Sequence, residues 1–403
     1  MSIREKISKR YEGVEGGLFS KVTKADVGEG FAEMGEEKVT LMGWADPFYP
    51  DPSLPKSVAD AMIREIESGF PAHYIMPSGS PELREMIAGK LKEKNQLDVD
   101  PKRNIIITPG SDSGLFYAVS LFIGQGDEAL VPDPSYPNNF MDPKLLGGKA
   151  VSVPLNEAEG YAFDMDAFEH AVTDRTKAVI LTHPNNPTTR VYRREELEKL
   201  SEFIIRHDLV LIVDQAFEET VLDEIEFVTP ASLPGMWERT VTVFSISKGM
   251  ALSGLRVGYI VACDKIMDVM YGAAVNVLGA ANSLAQAGAM AAFQNDGYVK
   301  KYLEKYDYRR KQAYEIFSAV EGVEIQMPES GFYCWIDVSR LGDSTEIMEY
   351  LVKEARVAVN DGKAYGTLGA GHLRIIHGCL GSDEEAVAAL HRMAEALGRY
   401  QQA

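Results

Sequence analysis

Residues 209–217 read Leu-Val-Leu-Ile-Val-Asp214-Gln-Ala-Phe217. An apolar run without polar alternation is the pattern of a strand buried on both faces, as in a parallel sheet covered by helices. The run stops on a carboxylate, which is costly to bury unless a partner satisfies it. The same grammar recurs outward in both directions. Thr240-Val-Thr-Val-Phe244 leads into Ser245-Ile-Ser-Lys248, and Lys177-Ala-Val-Ile-Leu-Thr182 leads into His183-Pro-Asn-Asn186-Pro187. Asn104-Ile-Ile-Ile-Thr108, Ala129-Leu-Val131, Ala150-Val-Ser-Val153 and Arg256-Val-Gly-Tyr-Ile-Val-Ala262 complete the set, with helical stretches at 113–123 and 194–206.

This alternation predicts an α/β fold with a large domain, residues 46–300, built on a mostly parallel seven-stranded sheet flanked by helices. Residues 284–319 read as helices leading to a smaller α+β domain formed by 1–45 and 301–403. Its strand-like runs are 323–326, 331–337 and His372-Leu-Arg374-Ile-Ile376, covered by helices at 345–355 and 383–398.

The 403 residues suffice for two such units, and 45% apolar with 25% charged residues is ordinary for a globular chain. Sixty acids against 41 bases give a net charge of −19, which disfavours nucleic acid and anionic membrane as partners. Cys263, Cys334 and Cys379 show no CxxC spacing, so a reducing compartment is expected, without a disulfide framework or a metal site. The first residues carry no apolar signal core and no run approaches a membrane span, so the expected location is cytoplasmic.

In open parallel sheets, ligands bind beyond the carboxyl ends of the strands, and the unusual residues of this chain cluster there. Lys248 closes a β-branched strand, where an amine can lose its water, become nucleophilic and form a Schiff base with an aldehyde cofactor. Pyridoxal 5′-phosphate is such a cofactor. A solvated lysine after a strand is the commoner occurrence. Asp214 suits the pyridinium nitrogen of that cofactor, though an ordinary salt bridge would satisfy it equally. Gly110-Ser111-Asp112-Ser113-Gly114 is a glycine turn opening a helix, with free N–H groups for a phosphate and hydroxyls at Ser111 and Ser113 to assist. Helix capping accounts for the same residues, and the spacing is not the GxGxxG of a dinucleotide site. Asn186 offers an amide to a planar ligand, or simply makes a turn, and Asn186-Pro187 is a candidate cis bond. Tyr136 can stack on a flat ring. Arg374, inside an apolar strand, suits two-pronged capture of a carboxylate or a structural ion pair.

Taken in order, Pro77-Ser-Gly79 before Leu83-Arg84, Asn185-Asn186-Pro187-Thr188, Asp214-Gln-Ala-Phe217 and Ser245-Ile-Ser-Lys248 with Arg256 eight residues on resemble the fold-type I pyridoxal phosphate enzymes of the class I/II aminotransferase family. The likeness runs from about residue 40 to 380. It implies that Lys248 carries the Schiff base and moves the proton, that Asp214 meets the ring nitrogen, and that Asn186 donates to the ring oxygen. It places Ser245, Arg256, Ser111 and Asp112 on the phosphate, Tyr136 on the ring face and Arg374 on the substrate carboxylate. Trp44 and Ala45 fall beside the substrate. Tyr74 corresponds to a tyrosine that reaches the neighbouring phosphate in a homodimer with shared active sites.

The sequence departs from the family pattern at three positions. Phe217 stands where a tyrosine hydroxyl usually meets the ring oxygen, Thr189 replaces a glycine, and Ala45 replaces another near the substrate carboxylate. The expected activity is transfer of an amino group between an amino acid and a 2-oxo acid, with neutral or aromatic side chains favoured because no second arginine is placed for a dicarboxylate. Phe217 keeps decarboxylation, elimination or oxidation on the same cofactor as an alternative, and a non-catalytic binder on the same scaffold is the other.

Overall fold

The computed structural model describes residues 8–11, 39–50 and 54–400. Residues 1–7, 12–38 and 401–403 of the expected small unit lie outside this description. Strand β1 (Thr40–Leu41) precedes a main sheet built from β2 (Ile105–Thr108), β3 (Glu128–Asp133), β4 (Lys149–Asn156), β5 (Ala162–Phe163), β6 (Thr176–Thr182), β7 (Val210–Asp214), β8 (Thr240–Ser245) and β9 (Gly258–Val261). Across the sheet the order is β2-β9-β8-β7-β6-β3-β4-β5. Strands β4, β3, β6, β7 and β8 pair in parallel, β9 runs against β8 and β2, and β5 folds back on β4. The expected strands are all present. The sheet has eight rather than seven because β5, only two residues long, closes a hairpin too short to leave an apolar run.

Period-two alternation divides the strand residues between the two faces. Val179, Leu181, Leu211 and Val213 join one core cluster, and Ala178, Ile180 and Ile212 join another. All are buried to within 1% exposure, and each large side chain so buried contributes about 1.5–3 kcal/mol. Covering both faces requires helices such as Ser111–Phe122 and Arg194–Arg206, which explains the unbroken Val/Ile/Leu runs.

The second sheet has the order β10-β11-β14-β13, from β10 (Glu324–Ile325), β11 (Cys334–Asp337), β13 (Asn360–Asp361) and β14 (His372–Ile375), all antiparallel. Beside it, β1 pairs in parallel with β12 (Val357–Ala358). Helices Gly297–Ser318, Ser344–Glu354 and Asp383–Tyr400 close its core over Phe317, Ile336, Leu351, Leu373 and Leu390.

Polar contacts join the sheets. Asp133, ending β3, accepts from the Thr367 amide at 2.9 Å and hydroxyl at 2.7 Å. Gly366 makes this approach possible: its φ is +123°, and a Cβ there would sit 2.1 Å from an Asp133 carboxylate oxygen. Elsewhere Glu157, after β4, lies 2.9 Å from Nε2 of His372 on β14.

Direction decides what faces the cleft. Because β9 opposes both neighbours, β2 runs the same way as β8, and the exits of β2, β3, β6, β7 and β8 share one edge. The start of β9, preceded by Arg256, meets the same edge.

Candidate active site

That edge opens on a cavity of about 680 Å³. Lys248, Asp214, Asn186, Arg256 and Arg374 line it together, with Ser111, Asp112, Tyr136, Phe217, Trp44 and Ala45. Most of the residues singled out in the sequence are therefore brought to one place.

The Lys248 ammonium donates to the carbonyl of Ala45 at 2.6 Å. Burial pushes its pKa down to about 8, against the charges of Asp112 and Asp46, which raise it. Asp214 ends β7 and is 6% exposed. Burial pushes its carboxyl up to about 7, while the Ala216 N–H, 3.0 Å from Oδ1, and the Lys248 charge oppose the rise. A carboxyl in that state is suited to sharing a proton with a basic ring nitrogen.

At the other end of the cavity, the Ser111–Phe122 helix begins after Gly110 at φ +87°. A Cβ on Gly110 would lie 2.3 Å from the Arg256 guanidinium, so glycine is what lets the arginine reach the helix start. Arg256 pairs with Asp112 at 3.1 Å, and the Tyr136 hydroxyl donates to the other Asp112 oxygen at 3.0 Å. Ser247 lines the cavity, and its hydroxyl is buried without a partner among the described residues. Free helix N–H groups, a guanidinium and an unused hydroxyl form an anion cradle. The donors thus fit a phosphorylated pyridine: an anion cradle, an amine and a buried carboxyl line one cavity.

Arg374 is nearly buried and almost fully engaged. It donates to Asn186 Oδ1 at 3.0 Å, to the Gly43 carbonyl at 3.1 Å, and to Asn360 Oδ1 from two nitrogens at 2.7 and 3.2 Å. Its guanidinium carbon lies 4.8 Å from the Tyr365 ring centroid. The Asn186–Pro187 peptide is cis.

Some expected residues sit differently. Ser245 does not line the cavity, and its hydroxyl accepts the Ser247 amide at 3.1 Å. The Ser113 hydroxyl turns back to the Pro109 carbonyl at 2.9 Å instead of helping an anion. Tyr74, expected at a partner's site and not at that of its own chain, is fully exposed and borders a separate cleft with Phe70, Met76 and Met290.

The departures take definite forms. Phe217 packs its ring edge-on to Tyr333 at 5.1 Å and offers the cavity only apolar surface. Thr189 holds the left-handed backbone that glycine would favour, at φ +68°, with its carbonyl accepting from Ser330 at 2.8 Å. Asn360, Tyr365, Ser247 and Asp46 were missed in the sequence. Asn360 carries only the faint signal of an amide ending the apolar run Val357-Ala-Val359, and Asp46 that of an acid beside the Trp44-Ala45 pair.

Residues 39–393 match the family described as aminotransferase class I and II. An aspartate aminotransferase of Pyrococcus abyssi is 32% identical over 86% of this chain and 90% of its own length. A probable aspartate/prephenate aminotransferase of Aquifex aeolicus is 33% identical over 86% of this chain and 89% of its own. The crystal structure of an aromatic aminotransferase from Pyrococcus horikoshii superposes with a TM-score of 0.85 at 31% identity, covering 91% of this chain and 98% of that one.

Proposed function

This chain belongs to the class I and II aminotransferases, and on that premise we propose that it moves an amino group between a neutral or aromatic amino acid and a 2-oxo acid. It is a pyridoxal phosphate-dependent aminotransferase of fold type I. The reading of the site rests on one observation, the convergence of Lys248, Asp214, Asn186, Arg256 and Arg374 on a single cavity. The relatives are named for aspartate, prephenate and aromatic substrates, so the side-chain choice is argued from the cavity. Its cations are Lys248, Arg256 and Arg374 among the described residues, and Arg256 is already paired with Asp112.

When bound, pyridoxal 5′-phosphate supplies an aldehyde that takes up an amine and a protonated ring that draws electrons from the adjoining carbon. Lys248 is the amine we assign to that aldehyde, and when free it is the base for the substrate α-proton. With its pKa near 8 it is partly neutral at mildly alkaline pH. Asp214 would keep the ring nitrogen protonated. Arg256, Ser111, Ser247 and the helix-start N–H of Asp112 would hold the phosphate, with Ser245 bracing Ser247. Tyr136 would flank the ring. Asn186 spends its oxygen on Arg374, leaving its NH₂ for the ring oxygen. Arg374 binds the substrate carboxylate by exchanging the Gly43 carbonyl for it, since most of its donors are committed. Trp44 and Ala45 wall the substrate.

Two lobes, 46–300 and 301–403 with the N-terminal residues, and a homodimer complete the proposal. What supports the dimer is the exposed apolar surface of Tyr74, Met76 and Ile66, at 103%, 69% and 59% exposure, which a partner would cover.

The test is a half-reaction. Cofactor-loaded protein mixed with single amino acids should lose its aldehyde absorbance and release the matching 2-oxo acid, and borohydride should label Lys248. Release of ammonia or carbon dioxide without the 2-oxo acid would overturn amino transfer, and labelling of another lysine would overturn the assignment of Lys248.

A further inference from the structure

We infer that Asn360 is a positioning residue for the substrate carboxylate: its side-chain oxygen closes one edge of the Arg374 guanidinium and orients the group without neutralising it. The inference rests on the aminotransferase reading and assigns to that site a residue that acts through Arg374.

Strand pairing sets the contact. Asn360 on β13 is the register partner of Arg374 on β14, so the two side chains stand on one face of the small sheet. Asn360 Oδ1 accepts from Nε at 3.2 Å and from Nη2 at 2.7 Å. Those two nitrogens form one edge of the guanidinium plane, and a single oxygen occupies it. The Tyr365 hydroxyl donates to the same oxygen at 3.3 Å. The next residue, Asp361, accepts from the Ser344 hydroxyl at 2.7 Å and the Lys363 amide at 3.0 Å, so the backbone behind the oxygen is also held. Asn360 and Arg374 are 3% and 4% exposed, and their contact is made within one chain whatever a second copy adds to the cavity.

The remaining donors show where a ligand can be gripped. Nη1 gives one N–H to Asn186, and Nη2 gives its second to the Gly43 carbonyl. The other N–H of Nη1 has no partner among the described residues. A carboxylate therefore meets Arg374 at its terminal nitrogens, through that N–H and the one that Gly43 gives up.

Charge points the same way. Arg309 and Arg310, also buried, are paired with the carboxylates of Asp383, Asp223 and Asp307. The hydrogen-bond partners of Arg374 among the described residues are all neutral oxygens. A buried cation without a counter-ion is costly, and an incoming carboxylate relieves that cost. An aspartate at 360 would hold the same edge and cancel the charge.

Two substitutions separate orientation from charge, measured on cofactor-loaded enzyme with its fastest amino donor. Asn360→Asp should raise KM by about 10- to 100-fold, the worth of one charge-assisted hydrogen bond, with a much smaller change in kcat. Asn360→Ala keeps the charge and frees the edge, so its KM should rise less. The dissociation constant of propionate, read from the cofactor absorbance, should move with KM, while borohydride labelling of Lys248 stays as in the native protein. A merely structural role would lower Tm and kcat without weakening propionate. Native KM and propionate affinity in Asn360→Asp overturn the inference and leave amino transfer standing, as does a fall in kcat at unchanged KM. Should Asn360→Asp fail to fold, native values in Asn360→Ala overturn it equally. If the native enzyme reacts with no amino acid, the aminotransferase reading falls and this inference with it.

Discussion

The side-chain oxygen of Asn186 accepts a hydrogen bond from Arg374 at 3.0 Å, and both residues are 4% exposed. The turn after β6 of the large sheet is thereby joined to β14 of the small one. A group proposed for the cofactor and a group proposed for the substrate share one contact, so occupancy of one site is felt at the other.

Asn186→Asp keeps the shape and adds a charge facing the guanidinium. The resulting internal ion pair competes with the substrate carboxylate, so KM for amino donors should rise by about 10-fold or more. Asn186→Ala should raise it less. Steady-state kinetics with several donors checks both, and a lowered KM in Asn186→Asp would remove Arg374 from the carboxylate role.

Asp214 makes cofactor-free protein pH-sensitive. Its folded pKa of about 7 lies above the ordinary carboxyl value, chiefly through burial. The folded state therefore holds a proton that the unfolded chain gives up at lower pH. Its contribution to stability is greatest below about pH 4 and is lost as pH rises through 7. The Tm advantage of Asp214→Asn over the native protein should thus grow from pH 5 to pH 8, as thermal scans without cofactor will show.

His372 acts across the sheets. Burial opposes its protonation, but the hydrogen bond and charge of Glu157, with Asp337 and the Ala370 carbonyl, outweigh burial and raise its pKa. Tyr161 Oη, 3.3 Å from Nε2, and the Trp335 ring stacked at 4.9 Å complete its surroundings. The stabilisation is full below the ordinary histidine pKa, while Glu157 remains ionised, and fades as pH rises through the raised value. Because Glu157 is half exposed, the effect is about 1 kcal/mol or less. The Tm gap between native protein and His372→Gln should be wider at pH 6 than at pH 9.

Gly366→Ala should cost about 1–3 kcal/mol, since it forces a side chain into φ +123° and against Asp133. The neighbouring Tyr365 ring lies under the Arg374 guanidinium, so KM should rise along with the loss in Tm. A thermal scan with donor kinetics reads both.

Much of this site was legible because strand exits concentrate chemistry. Lys248, Asp214 and Asn186 each follow an apolar run whose burial is required by the sheet, so their polar groups stand out. Arg374 stands out as a charge within such a run. Asn360 does not, because β13 is two residues long and its partner is set only when β14 pairs with it. The resemblance pointed to Ser245 while Ser247 lines the cavity, since which of the two reaches it depends on how the chain turns after β8. Tyr74 belongs to a different cleft, and a single chain holds nothing that would bring it to Lys248. The two-residue β5 is fixed by its hairpin contact with β4 rather than by any pattern of its own.

Strand β9 runs opposite to its neighbours, and this constrains movement. Lys248 leaves β8 and Arg256 enters β9, so one loop with both feet clamped in adjoining strands carries both residues. Their spacing behaves like the fixed jaw of a vice. Arg374 is the second jaw, mounted on another sheet and tied back to the first only through side chains such as Asn186, so the gap left for substrate is set by contacts between the sheets and not by the loop itself.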